Sequence, residues 1–171
     1  MKKIISLAIL IVTSITFAFA QTAWVTHKAD NRVSVKFPGT PKEVVPGTFI
    51  SVEKIGKDSV GYALTVVDFQ KVANIDSATL APIKATPEFT SQLKTGMAQS
   101  LPDVNLEDFK IGTWKGYTSY TTTGSSPAKK QTMHIFMVLI GTKMYSLAAV
   151  VPDGAATTGR DQFFSSLTLT N

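Results

Sequence analysis

Apolar and polar residues alternate one for one along most of this chain, and the alternation breaks wherever Gly, Pro, Asp and Asn gather. "AWVTHKA" and "RVSVKFP" are two short extended segments with Asp30-Asn31 between them, a pattern that predicts a hairpin. In the second, Val33, Val35 and Phe37 fall on one face, with Ser34 and Lys36 on the other. "GTFISVEKI" and "VGYALTVVDF" follow across the turn-like "GKDS". Val60 to Phe69 is apolar on both faces, which predicts a central strand covered from both sides. Asp76 to Lys84 has no clear period and is expected to be an irregular connection. A helix is predicted from Thr86, with Thr86 as N-cap, Pro87 at the first helical position and Glu88 in the first turn. Phe89, Leu93, Met97 and Leu101 recur every fourth residue as its buried stripe, and Pro102 ends it.

The C-terminal half carries four more alternating segments, "EDFKIGT", "GYTSYTTT", "QTMHIFMVLI" and "KMYSLAAVV". Their connections, "WK", "GSSPAKK" and "GT", are short enough for an all-antiparallel meander. "TGRDQFFSSL" is predicted as a closing helix, with Thr158 and Asp161 in capping-box spacing and Phe163, Phe164 and Leu167 turned to the sheet. The expected fold class is α+β, with about eight strands and two helices in one domain over residues 21–171.

"VSVKFPGTPKEV" interrupts a strand with two prolines. Pro38 has no N–H to donate, so the ladder is expected to stop after Phe37. Pro38-Gly39 suits the central pair of a type II turn, and Pro41 keeps the departing chain extended without offering a pairing partner. A phosphate-cradling loop would need more glycines, a Gly-Lys-Ser/Thr ending and a following helix, and these are missing.

The first residues change the picture of where the protein acts. Lys2 and Lys3 precede an apolar run from Ile4 to Phe17, and Ala18-Phe19-Ala20 places small residues where a signal peptidase reads them. The run is short for a membrane span, which needs about 20 apolar residues. Residues 1–20 are therefore expected to be a cleaved signal peptide, with Ala18, Ala20 and Gln21 marking the cut and no stable membrane anchor afterwards. The expected location is periplasmic or extracellular. With no cysteine, the domain must hold together through its apolar core, and the acylation route of bacterial lipoproteins is closed. The formal net charge of +5 includes Lys2 and Lys3, and the remaining basic residues are scattered. Nucleic acid is not an expected partner.

Several of these segments resemble the PsbP-like family, which includes the extrinsic subunit of photosystem II, bacterial relatives and a nuclear Ran-binding protein of the same fold. The resemblance rests on Val33 to Pro41 after a short Trp-led strand and on Gly112-Thr113-Trp114-Lys115-Gly116-Tyr117. It continues through "IFMVLIGTKMYSLAAVVP", with Tyr145 after the turn, and through Phe163-Phe164-Ser165-Ser166-Leu167. It implies a central antiparallel sheet flanked by helices, an α/β/α sandwich. No residues match a metal-retaining or Ran-binding site of characterised members, so no site is carried over.

The inventory for chemistry is thin. His134 is expected to be hydrogen-bonded beneath a helix or loop, with metal ligation as its alternative role; no second His or paired carboxylate lies at ligand spacing. His27 is expected at the surface. "GSSPA" is not a G-x-S-x-G elbow. Glu107 and Asp108 are adjacent and, on a strand, would point to opposite faces. Asp68 is expected at a solvent-facing strand end. The turns at Trp114-Lys115 and Thr142-Lys143 should fall at one end of the meander, gathering Trp114, Lys115 and Lys143. That set could grip an acidic or aromatic-bearing partner. The plainer and favoured reading makes Trp114 a cover for the sheet's open end and the lysines solubilising groups. The leading functional expectation is an exported, non-catalytic binding or assembly module with an envelope or secreted protein partner. The alternatives are a hydrolase with acids gathered from separate strands, or a carrier of an apolar small molecule. No cofactor or metal is expected.

Overall fold

The computed structural model describes residues 24–170, so the signal-peptide expectation, with Ala18, Ala20 and Gln21, lies outside the described residues. Strands β1 (Trp24–Lys28) and β2 (Val33–Pro38) form the first hairpin. Asp30 shapes its turn, its Oδ1 accepting from the N–H groups of Arg32 at 2.8 Å and Val33 at 3.1 Å. The β2 ladder runs one residue further than expected, to Pro38, whose carbonyl accepts from Ser51 Oγ at 2.9 Å. Gly39 then takes φ +90°, the positive value a type II turn requires. After Pro41 the chain does pair: β3 (Lys42–Val45) is an exposed edge strand against β4 (Thr48–Ile55).

β5 (Asp58–Asp68) is central, between β4 and β10 (Lys143–Pro152), as its two-sided apolar pattern requires. Asp68 is not a free strand end. Its Oδ1 accepts from the Gln70 N–H at 3.2 Å, capping α1 (Phe69–Ala73), and from Thr142 Oγ1 at 2.8 Å. The segment expected to be irregular is a helix, α2 (Ser77–Ile83). Asp76 caps it through the Thr79 N–H at 2.8 Å, and Pro82 sits inside its last turn. α3 (Pro87–Ser100) begins as predicted, with Thr86 Oγ1 accepting from the Phe89 N–H at 3.3 Å. Its stripe is only partly sunk. Phe89 is buried, whereas Leu93 and Met97 are half-buried.

The C-terminal half contains β6 (Asn105–Leu106), β7 (Lys110–Trp114), β8 (Tyr117–Ser126), β9 (Gln131–Ile140) and β10. β7 to β10 make the meander, and all pairings are antiparallel. The large sheet has eight strands in the order β3-β4-β5-β10-β9-β8-β6, with β7 also pairing β8. α4 (Thr158–Ser165) follows, and β11 (Thr168–Leu169) returns to pair with β2. The expected capping box at α4 is not formed. Thr157 occupies the N-cap without a side-chain hydrogen bond, and Asp161 pairs with Arg160 instead.

One face of the large sheet meets α1, α2 and α3 through Leu80, Phe89, Tyr120, Met137, Leu139 and Met144. The other meets a mixed layer, the β1-β2-β11 sheet together with α4, through Val35, Phe37, Tyr62, Leu147, Phe163 and Leu167. The α+β sandwich is thus as expected, except that a small sheet shares the second outer layer. α4 covers only part of that face. Toward β8 and β7 the sheet is left open.

Candidate functional site

The uncovered part of the sheet forms an open cleft of about 440 Å³ beside α4. Register sets its floor. Lys110 pairs with Thr121, Thr121 with Phe136, and Thr123 with His134, which places these five side chains on one face of β7, β8 and β9. α4 forms a wall with Arg160, Asp161, Phe164 and Ser165, while Trp114, Glu107 and Asp108 stand at the rim. Glu107 and Asp108 differ from expectation. They lie in the irregular stretch between β6 and β7, so strand alternation does not separate them, and both border the same cleft.

Arg160 organises the wall. Its Nε and Nη2 contact Asp161 Oδ1 at 2.9 and 2.7 Å, and its Nη1 lies 3.5 and 3.3 Å from Nδ1 and Nε2 of His134. Burial lowers the His134 pKa and the neighbouring Arg160 charge lowers it further, against a smaller opposing pull from Asp161. His134 is therefore neutral at pH 7, able to accept at one ring nitrogen and donate at the other. It lies on the floor of the cleft, in contact with Arg160 of α4. Phe136 and Phe164 meet at 6.2 Å between ring centroids, giving the cleft an aromatic side. Asp108 is held from outside by Lys94 at 2.7 Å. Among the described residues, no group of three or more His, Cys, Asp or Glu side chains converges to hold a metal ion.

The structure brings together part of the set expected at the meander's end. Thr118 pairs with Leu139, so the two turns do fall at the same end of the sheet. Lys115, at φ +47°, places its Nζ 5.0 Å from the centre of the Trp114 ring. Lys143 is engaged elsewhere. Its Nζ lies 2.6 Å from Asp30 Oδ2, which also accepts from the Tyr145 hydroxyl at 2.7 Å. His27 is half-buried rather than at the surface, its ring 4.2 Å from Phe49 and 5.9 Å from Phe37. Burial lowers its pKa, opposed by the charge of Glu43. Arg160, Thr121 and Thr123 were not candidates in the sequence. Their only signal was the polar side of alternating strands and of a helix whose other side carries Phe163.

No family profile matches the chain, and no curated protein sequence matches it. The arrangement of a meander sheet between helices and a mixed outer layer is a PsbP-like fold. Among solved structures, the chain is similar to the solution structure of cyanobacterial PsbP (CyanoP) from Synechocystis sp. PCC 6803. The TM-score is 0.52 at 10% identity, covering 90% of this chain and 95% of that one. It also aligns with a crystal structure from Bacteroides thetaiotaomicron at TM-score 0.41 and 10% identity, over 88% of this chain. The chain spans about half the length of that second protein, 49%. Among the described residues, no helix is long and apolar enough to cross a membrane.

Proposed function

We propose that this chain is an exported, non-catalytic binding or assembly module that holds an envelope or secreted protein through the Trp114-Lys115 turn and the adjoining mouth of the cleft. The observation that carries this reading is the placement of Trp114. It is half-buried against the core, yet its ring borders an open cleft and is overlaid by the Lys115 ammonium. A large aromatic side chain at such a rim supplies contact area at little conformational cost, and tryptophan dominates binding energy where a partner covers it. The signal-like pattern of residues 1–21 supports action in a periplasm or outside the cell. The PsbP-like fold agrees with an accessory role and no more than that, since folds host unrelated functions.

The test is affinity capture from envelope and secreted fractions with the wild type, Trp114→Ala and Lys115→Ala, each with its melting temperature. A partner retained by the wild type and lost by Trp114→Ala at unchanged melting temperature supports the reading. If Trp114→Ala only lowers the melting temperature, or the same proteins are captured by every variant, Trp114 is a cover for the sheet end and the reading fails.

A further inference from the structure

The interior of the cleft sets polar and aromatic side chains side by side. Its charges nearly cancel. Glu107, Asp108 and Asp161 face Lys110 and Arg160, and Asp108 already has Lys94 as its partner. A ligand with a strong charge of either sign would meet its own sign as often as the opposite one. A wholly apolar ligand fits no better, because it would cover His134, Arg160 and the threonine hydroxyls without returning their hydrogen bonds to water. What the lining does offer is donors and acceptors mixed at short range. Hydroxyls come from Thr121 and Thr123, a neutral imidazole from His134, and a guanidinium from Arg160 whose Nη1 lies 3.3 Å from His134 Nε2. Beside them stands the Phe136–Phe164 pair.

Donors and acceptors set next to an aromatic surface match a pyranose ring, which carries hydroxyls on its edge and C–H groups on its faces. We infer that the cleft binds a neutral oligosaccharide, its hydroxyls held by Thr121, Thr123, His134 and Arg160 and a C–H face laid on Phe136 and Phe164. The volume of about 440 Å³ falls in the range of small-ligand sites, and the open side leaves a longer glycan free to run outward. This inference goes beyond the proposed protein partner and depends only on the cleft, not on the Trp114 turn.

The test follows amide chemical shifts of the purified exported protein by NMR during titration with maltotetraose, cellotetraose and N-acetylchitotetraose. Tetragalacturonate, tetraglutamate and tetralysine are the charged counter-probes. Concentrations of about 10 mM would mostly saturate a site with a dissociation constant of about 1 mM. The expected result is saturable change around residues 121–123, 134–136 and 160–165 with at least one neutral probe. Thr121→Val with Thr123→Val should weaken that binding about tenfold, and Arg160→Met by at least as much. The paired threonine variant keeps β-branched residues on β8, so it remains informative if Arg160→Met disturbs α4. Silence from all neutral probes, response to charged probes alone, or binding unaffected by both variants overturns the inference. A Trp114-dependent protein partner found alongside that silence would leave the proposed function standing while this inference falls. Saccharide binding without any captured partner would do the reverse.

Discussion

Replacing Asp30 by Asn isolates one charge at the join between the first hairpin and the large sheet. Desolvation raises the Asp30 pKa, but hydrogen bonds from Lys143, Tyr145 and the Arg32 N–H, with the Lys143 charge, outweigh it and hold the value at about 2 against an ordinary 3.8. Each unit corresponds to about 1.4 kcal/mol, so the ionised group contributes about 2 kcal/mol to folding near neutrality. The side chain is 17% exposed, so solvent screening removes little of this. The folded-state value is depressed, so the contribution is complete above the unfolded value near 4 and drains away as pH falls toward 2. Asp30→Asn should therefore cost about 2 kcal/mol at pH 7 and well under 1 kcal/mol at pH 2. Urea unfolding of both proteins, followed by tryptophan fluorescence over a series of pH values, measures the difference directly. A difference that stays constant across that range would refute the electrostatic account and reduce Asp30 to a turn residue.

Gly47 has φ +78°, and a Cβ there would sit 2.9 Å from the Val66 carbonyl oxygen, so Gly47→Ala should destabilise by about 2 kcal/mol or more. Gly56 shares the positive φ but faces open space, so Gly56→Ala should cost only about 1 kcal/mol, and equal losses in chemical denaturation would contradict the steric reading. Tyr120→Phe removes a hydrogen bond from a buried hydroxyl to the Lys84 carbonyl, 2.5 Å away, that ties the end of α2 to the sheet. A loss of about 1 kcal/mol is expected, with faster amide exchange in 77–84. Burial and Arg160 depress the His134 pKa, so its contribution to stability is full above the unfolded value of about 6.5 and declines as pH falls through the folded one. His134→Gln should flatten that acid-side decline, and an unchanged slope would show that His134 is not desolvated in solution.

The fold could be read where local and global demands coincide. Val33, Val35 and Phe37 alternate because one face of β2 is fully buried, and Thr86-Pro87-Glu88 announces α3 because cap chemistry is local. α2 is hidden in the sequence because Ser, Thr and Pro dilute its period, and its one buried residue, Leu80, gives no stripe. β3 and β11 are short and take their identity from partners elsewhere in the chain. The same reason hides the cleft. Its residues come from four separate segments, and what joins them is sheet register and the seat of α4, neither of which has a spacing in sequence. Trp114 and His134 stand out in the sequence because their residue types are rare here; Arg160 and the threonines are ordinary residues until the strands are laid side by side.

The latch between β2 and β11 joins residues that lie 130 and 134 positions apart in sequence. Thr168 pairs with Ser34, the Thr170 N–H donates to the Arg32 carbonyl at 2.7 Å, and the Ser166 hydroxyl accepts from the Lys36 N–H at 2.9 Å. β2 therefore acquires its second neighbour from a strand far along the chain. Until then Val33, Val35 and Phe37 belong to a two-stranded ribbon that is marginal by itself. Loss of the contacts made by residues 166–170 would spare the meander's own pairings and still strip the hairpin of this clasp, so the small outer sheet depends on two distant stretches of sequence finding each other.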